Sequence, residues 1–496
     1  MLRGQSQNQL LAGALIFAAG FLLRFLPLAL HLSVAQGDEI FQGPEAAHRL
    51  VFGYGLVPWE FAYGTRSWIV ALLAAGPMAI AKQWGAGPEL YLPLITALFA
   101  SLGALTGLGV FLKARNFYGP AGAAAAAIAA SCWIDNIYFG GRTLSEPLAA
   151  HLLILAVLVA GPGVVRPAYL ALGGFLAGAA FVTRLQIAPA IALLWLWPGV
   201  TKQRFLLLSL GAAVALAGNA LVDILTYGAP FAPLWGNLKF NFLLNGAASF
   251  GVSPWSEYLR FLAYNWGASG VVFMGLALLG ARRMPIFLVM AGVILAAHML
   301  IGHKEYRFIF PAIAMLAILA GFGLVELTRI LAHGLDADRL KPAPAWLCLI
   351  VGLCWAGITF LNVIGRNYDQ HWRRSSDFLA AELKLSRMPG VCGVGFDAIF
   401  AWTGGYTYLH RPIPIYDFLN ADRLTEITGA ANVLVADKTS PTLTDPYSPY
   451  RRQQCFGQKC IYLRPGRCEA LPRPRPPMVP LSLSAIAPYP YVEGVP

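Results

Sequence analysis

Between Gln36 and Trp68 the chain reads QGDEIFQGPEAAHRLVFGYGLVPWEFAYGTRSW. The stretch follows directly on an apolar run, residues 10–31, long enough to cross a bilayer. It sets two carboxylates, Asp38 and Glu39, beside the membrane. A short amphipathic run with Glu45 and His48 comes next, then a Gly/aromatic turn, then Trp59 and Glu60, with Arg66 near the end. Adjacent acids at a bilayer surface are costly unless solvated, paired or used. The plain reading is a solvated loop opening a helix, since Asp and Glu favour a first helical turn. The density of polar groups among aromatics weakens that reading without overturning it.

Composition sets the class around this stretch. The 496 residues are 57% hydrophobic and 12% charged, against roughly 25% charged in a soluble globule, and the mean hydropathy is +0.60. A polytopic α-helical membrane protein follows, with membrane lipids as its surroundings. The formal net charge is +12, but the basic residues sit in short clusters between apolar segments, as in loops retained on the cytoplasmic side. No basic stripe with interleaved aromatics occurs, so nucleic acid is not an expected partner.

Residues 10–31 exceed a signal-peptide core and no small-residue cleavage site follows, so a retained helix is expected, interrupted by Arg24. Further apolar runs lie at 67–83, 90–112, 121–139, 145–161, 168–183, 186–199, 205–222, 262–280, 285–302, 308–325 and 345–364. The Lys/Arg bias puts Lys113, Arg115, Arg166, Lys202, Arg204, Arg282, Arg283 and the loop with Arg329, Arg339 and Lys341 in the cytoplasm. Residues 142–146, 223–261, 303–307 and everything after 366 then fall on the other side, with Asp38 and Glu39. A full span at 67–83 would put Lys113 and Arg115 outside. That run is therefore expected to be re-entrant or interfacial, leaving about eleven transmembrane helices.

Three regions are expected. Residues 1–366 form the transmembrane domain, with 33–67 its first extracytoplasmic loop. Residues 367–475 form a small extracytoplasmic mixed α/β domain with strand-like pieces at 391–396 and 431–436, and 476–496 belong to a Pro-rich tail. Cys392, Cys455, Cys460 and Cys468 lie in the polar C-terminal region. In an oxidising compartment they allow up to two disulfides, with three connectivities open.

The unusual polar clusters gather on the outer face. They are Arg142-Thr143-Leu144-Ser145-Glu146, Asp223 in VDILTYG, Lys239 in LKFN, Trp255 in GVSPW, and His303-Lys304-Glu305-Tyr306-Arg307. A carboxylate there can deprotonate an acceptor hydroxyl, worth about 10²–10⁴ in rate, while cations hold the phosphate of a lipid-linked donor. Trp59, Phe61, Trp68 and Trp255 suit a sugar ring or a lipid chain. Glycosyl transfer from a polyprenyl-phosphate sugar fits this set. On the residues alone a transporter or channel stands ahead of it, and a transporter or flippase of a lipid-linked saccharide would gather polar groups at mid-bilayer; Arg24 and Arg184 are the residues that could seed such a cluster. Asp336-Ala337-Asp338 mimics the metal motif of nucleotide-sugar transferases but lies in a basic cytoplasmic loop, and reads as a solvated loop. No phosphate loop or dinucleotide fingerprint occurs, and no His/Cys/Asp set has metal spacing. Neither a metal nor a cofactor is expected.

The run GDEIFQGPEAAHRLVFGYGLVPWEF…RSW resembles the first extracytoplasmic loop of glycosyltransferase family 22, the dolichyl- or polyprenyl-phosphate-mannose-dependent α-mannosyltransferases of GPI-anchor and N-glycan assembly. The FGYG turn is similar to that of the branch adding the third GPI mannose. RTLSE, VDILTYG, LKFN, GVSPW and HKEYRFIFP follow in family order, and the resemblance covers residues 10–330. It implies a GT-C glycosyltransferase fold, inversion at the anomeric carbon, a polyprenyl-phosphate-linked donor with mannose the expected sugar, and a lipid-linked or glycan acceptor. By that resemblance Asp38 is the base on the acceptor hydroxyl, accompanied by Glu39, and His303, Lys304 and Arg307 serve the donor phosphate. Glu45, His48, Trp59, Glu60, Arg66, Arg142, Asp223, Lys239, Trp255 and Glu305 complete the expected substrate-binding set. The chain departs from the family in Gly37, where Pro is usual, and in Glu146, where Asn is frequent. The first bears on loop rigidity, the second on acceptor choice. The short basic loops favour a bacterial inner membrane with the site facing the periplasm, the endoplasmic-reticulum lumen being the alternative.

Overall fold

The computed structural model describes residues 2–333, 344–365, 371–398, 402–418, 427–440 and 448–469, with Leu424 and Leu443. Asp336-Ala337-Asp338 and the segment 476–496 lie outside them.

The first half is helical: α1 (Leu2–Leu30), α2 (Asp38–Phe41), α3 (Pro44–Phe52), α4 (Trp59–Ala62), α5 (Ile69–Gln83), α6 (Pro88–Cys132), α7 (Ile134–Tyr138), α8 (Ser145–Ala160) and α9 (Pro167–Thr183). There follow α10 (Ala188–Leu196), α11 (Lys202–Tyr227), α12 (Ala232–Leu238), α13 (Glu257–Ala281), α14 (Pro285–Met299), α15 (Phe310–His333) and α16 (Ala345–Gly365). Among the described residues six helices are long and apolar enough to cross a membrane, and five shorter apolar helices accompany them. The protein is an integral membrane protein. The 45 residues of α6 are two helices joined at Gly119, whose φ of 70° lies in the left-handed region open to glycine. The expected run at 121–139 is divided at Trp133, whose backbone is extended, between the second half of α6 and α7.

The chain forms two compact units. The first contains Met1–Pro27, Thr96–Leu234 and Ala247–Tyr368. Its centre is α15: the span Tyr306–Ala332 is buried over 94% of its most apolar window, against 17% for Lys202–Tyr227 and Glu257–Ala281. A helix apolar on every side belongs inside, so the segment just before α15 is carried into the middle of this unit. Helices α9 and α11 meet backbone to backbone. A Cβ on Gly174 would strike the carbonyl of Leu208, and one on Gly211 that of Ala171.

The second unit contains Leu28–Ile95, Trp235–Gly246 and the chain from Asp369 on. Its α5 has 15 residues, about 22 Å, short of a hydrocarbon core of about 30 Å. Val70 at one end packs on Gly43, and Lys82 at the other donates from Nζ to the carbonyl of Val51 at 2.6 Å. The turn after α5 also stays in this unit, where Arg387 pairs with Glu89 at 3.3 Å. Helices α17 (Ser376–Leu385) and α18 (Gly405–Leu409) join a five-stranded mixed sheet of order β2-β1-β3-β5-β4. The strands are β1 (Val394–Phe396), β2 (Ile415–Asp417), β3 (Val433–Asp437), β4 (Arg451–Phe456) and β5 (Lys459–Leu463). The first three run parallel, while β5 lies antiparallel to β3 and β4. One apolar core takes in Val34, Ile40, Phe41 and Leu56 together with Leu379, Val394, Tyr406 and Val433. Of the three disulfide connectivities the structure has Cys392–Cys468 and Cys455–Cys460.

Candidate active site

In the first unit the motif His303-Lys304-Glu305-Tyr306-Arg307 is the entry to α15, with Tyr306–Ile309 wound as a tight 3-10 turn. Glu305 accepts from His303 Nε2 at 3.1 Å and from Arg307 Nε at 2.8 Å. Burial opposes ionisation of Glu305, yet Arg307 and His303 hold its carboxyl down to about 2. The bond to Glu305 raises the His303 pKa. The other ring nitrogen faces the carbonyl of Gly251 at 3.0 Å, so both nitrogens meet acceptors and the imidazolium satisfies both. Lys304 is 7% exposed, its ammonium donating to the carbonyls of Ser253, at 3.3 Å, and Ile301. Burial lowers its pKa.

Two residues outside the expected set complete this cluster. Glu146 Oε1 forms ion pairs with the guanidiniums of Arg307 and Arg184, each at 3.1 Å, with side-chain exposures of 6%, 7% and 1% for Arg307, Arg184 and Glu146. Ser145 Oγ donates to Glu146 at 3.1 Å and accepts from Arg184 at 3.3 Å. Both guanidiniums also lie over Phe308, 4.9 and 5.0 Å from the ring centre. The carboxylate stands in the first turn of α8, where the helix dipole favours negative charge. Glu146 thus ties three separate segments, and the arrangement concentrates positive charge beside the 303–307 turn. Arg184 is paired in this cluster rather than seeding a transport path. Its isolation in an apolar run was the one signal in the sequence, and no spacing rule joins it to positions 146 and 307.

Other expected residues of this unit are spread around. Arg142 is 1% exposed, donating from Nε to the carbonyl of Tyr138 at 2.9 Å with its guanidinium over that ring. Asp223 accepts from Asn219, one turn back on α11, at 2.7 Å. Trp255 is exposed.

In the second unit Asp38 opens α2 and is half-buried. Glu39 is buried and accepts from the backbone N–H of Ala35 at 2.8 Å, which fixes the acid pair's loop. Glu60 is buried, accepts from Gln42 Nε2 at 2.9 Å, and is pushed up to about 7 by burial and then by the charge of Asp38, against the pull of Arg66. A carboxyl at that value can hold or release a proton at neutral pH. Trp59 packs on Phe240 with ring centres 5.1 Å apart, beside the exposed Lys239.

Glu45 and His48, expected to bind substrate, have internal partners instead. Both are fully buried. Glu45 accepts from the N–H of Leu56 (3.0 Å), Tyr406 (3.2 Å) and Thr407 (2.9 Å) and from the Thr407 hydroxyl (2.8 Å). Burial raises its pKa and all four donors oppose the rise. His48 faces the carbonyl of Tyr54 at 3.1 Å with Nδ1, which therefore carries the proton, so Nε2 accepts from His410 Nδ1 at 2.9 Å. Burial, then His410, lower the His48 pKa to about 3 and keep it neutral. Partners 361 and 362 positions away give no local signal.

The chain is 28% identical over 433 residues to GPI mannosyltransferase 3 of Yarrowia lipolytica, covering 83% of this chain and 78% of that one. GPI alpha-1,2-mannosyltransferase 3 of Mus musculus is 26% identical over 300 residues, 58% of this chain and 55% of its own length. Among solved structures, ArnT from Cupriavidus metallidurans bound to undecaprenyl phosphate superposes with a TM-score of 0.60 over 90% of this chain and 97% of that one, at 13% identity. That likeness is one of fold, and the fold is GT-C. The model of the Alg9-like mannosyltransferase family matches residues 15–372, so the chain belongs to that family of glycosyltransferases.

Proposed function

We propose that the protein moves a mannosyl group from a polyprenyl-phosphate carrier to a hydroxyl of a lipid-linked or glycan acceptor, inverting the anomeric carbon. Asp38 takes the proton of the acceptor hydroxyl. The oxygen attacks the anomeric carbon from the face opposite the phosphate, the bond from that carbon to the phosphate oxygen breaks, and the carrier leaves as polyprenyl phosphate. Lys304, Arg307 and His303 meet the charge that grows on the departing phosphate, and Glu39 holds the loop that presents Asp38. Trp59, Arg66, Arg142, Lys239 and Trp255 are assigned to substrate binding. The observation that carries the reading is the buried Glu146–Arg184–Arg307–Glu305 cluster with Lys304 beside it, in a chain of a mannosyltransferase family. Preorganised cations of this kind are worth most where water is excluded.

The active site faces a non-cytoplasmic compartment in this reading. Two disulfides favour an oxidising one, the bacterial periplasm, with the endoplasmic-reticulum lumen as alternative. Purified protein assayed against a panel of polyprenyl-phosphate sugars, with and without chelator, tests donor and metal need together. Mannosyl transfer is expected in the wild type and its loss in a folded Asp38→Asn variant. Wild-type turnover in that variant removes Asp38 as base.

A further inference from the structure

Asp135 lies in an apolar stretch, and neither the motifs nor the comparisons assign it a role. Its side chain is fully buried. Oδ2 accepts from the indole N–H of Trp133 at 2.8 Å and of Trp266 at 2.9 Å, and Oδ1 accepts from the hydroxyl of Tyr306 at 2.9 Å. Indole nitrogens only donate, so the two tryptophans fix Oδ2 as an acceptor.

Those indoles cannot shift easily. Trp133 stacks on Phe273 at 4.2 Å and on Trp355 at 5.4 Å, Trp266 packs on Phe273 at 4.7 Å, and Trp355 donates to the carbonyl of Ala129 at 3.0 Å. A close-packed aromatic block of this kind transmits position rather than absorbing it. It leaves Oδ1 facing Tyr306, which stands in the chain between Glu305 and Arg307. Glu146 grips Arg307 from one segment, and Asp135 grips the neighbouring residue from another.

We propose that Asp135 is a positioning residue that sets the 303–307 turn through the Tyr306 hydroxyl. The proposal rests on the reading of that turn as the donor-phosphate site. Losing the tether lets the turn rotate, which costs donor binding and leaves acceptor binding alone.

The test is steady-state kinetics with donor and acceptor varied separately, on Tyr306→Phe, Asp135→Asn and Lys304→Ala. Tyr306→Phe keeps the ring and removes one hydrogen bond to a charged acceptor. Donor KM should rise about ten-fold with acceptor KM unchanged, a split that general loosening of the fold does not give. Asp135→Asn can still accept from the indoles and offer an N–H to the Tyr306 oxygen, so its donor KM should rise less. A larger rise than in Tyr306→Phe means that Asp135 acts by another route and overturns the proposal. So do equal shifts in both KM values, or a wild-type donor KM in Tyr306→Phe while Lys304→Ala raises it; the reading of the turn then stands. A donor KM unmoved in both Tyr306→Phe and Lys304→Ala removes the proposal and that reading together.

Discussion

Glu45 separates a substrate role from a structural one, and its four donors allow the cost of its loss to be worked out. Glu45→Ala strands three backbone N–H groups, those of Leu56, Tyr406 and Thr407, in a place without solvent. At about 1–3 kcal/mol for each orphaned group, less what relaxation recovers, the variant should lose roughly 3–6 kcal/mol. Glu45→Gln is milder. Its carbonyl oxygen can take the Oε1 position and serve Leu56 and Tyr406, while its amide meets Thr407, whose hydroxyl can turn to accept. One N–H, that of Thr407, is then opposed, for roughly 1–3 kcal/mol. The loss should appear first as protease sensitivity of the segment around 403–410, with the thermal midpoint of the purified protein falling in the order wild type, Gln, Ala. Donor and acceptor KM of whatever remains folded should stay at wild type. A Glu45→Ala protein that melts like wild type yet binds substrate poorly would refute the reasoning and return Glu45 to the substrate-binding set.

Two further outcomes follow from the buried charges. The Glu60 carboxyl titrates near 7 in the folded protein against 4.5 for the free side chain. The folded state therefore keeps a proton that the unfolded chain gives up between those values, and stability falls by roughly 3 kcal/mol as pH rises from 4.5 to 7, then levels off. Unfolding measured across that window should show this slope in the wild type and its loss in Glu60→Gln; equal slopes would rule the assignment out. Glu146→Ala takes the shared carboxylate from two buried guanidiniums, a change worth about 3–5 kcal/mol. A marked drop in thermal midpoint is expected, and an unchanged midpoint contradicts the buried pairing.

Helix positions were legible because an apolar run reports its own burial: α8, α9, α11 and α14 fall on stretches apparent from composition alone. The fold was legible further, from the matches of the motifs to a known family. What the chain did not announce is who meets whom across it. Nothing near position 45 hints that Thr407 will donate to it, and Asp135 is a lone acid among apolar neighbours until Trp266 and Tyr306 close on it. Arg184 looked like a misplaced charge because its counter-ion, Glu146, lies 38 positions earlier and belongs to another motif. Periodicity and spacing carry local information, and a buried ion pair is a long-range fact. For the same reason the motif 303–307 could be singled out as chemistry while the residues that hold its shape could not.

The bond between Cys392 and Cys468 encloses β1 through β5. Tension applied to the backbone outside those two cysteines runs through sulfur and bypasses the ladder of strands, so the sheet cannot be peeled open by its ends. A reductant would turn this clasp into an ordinary tether and expose the ladder to shear.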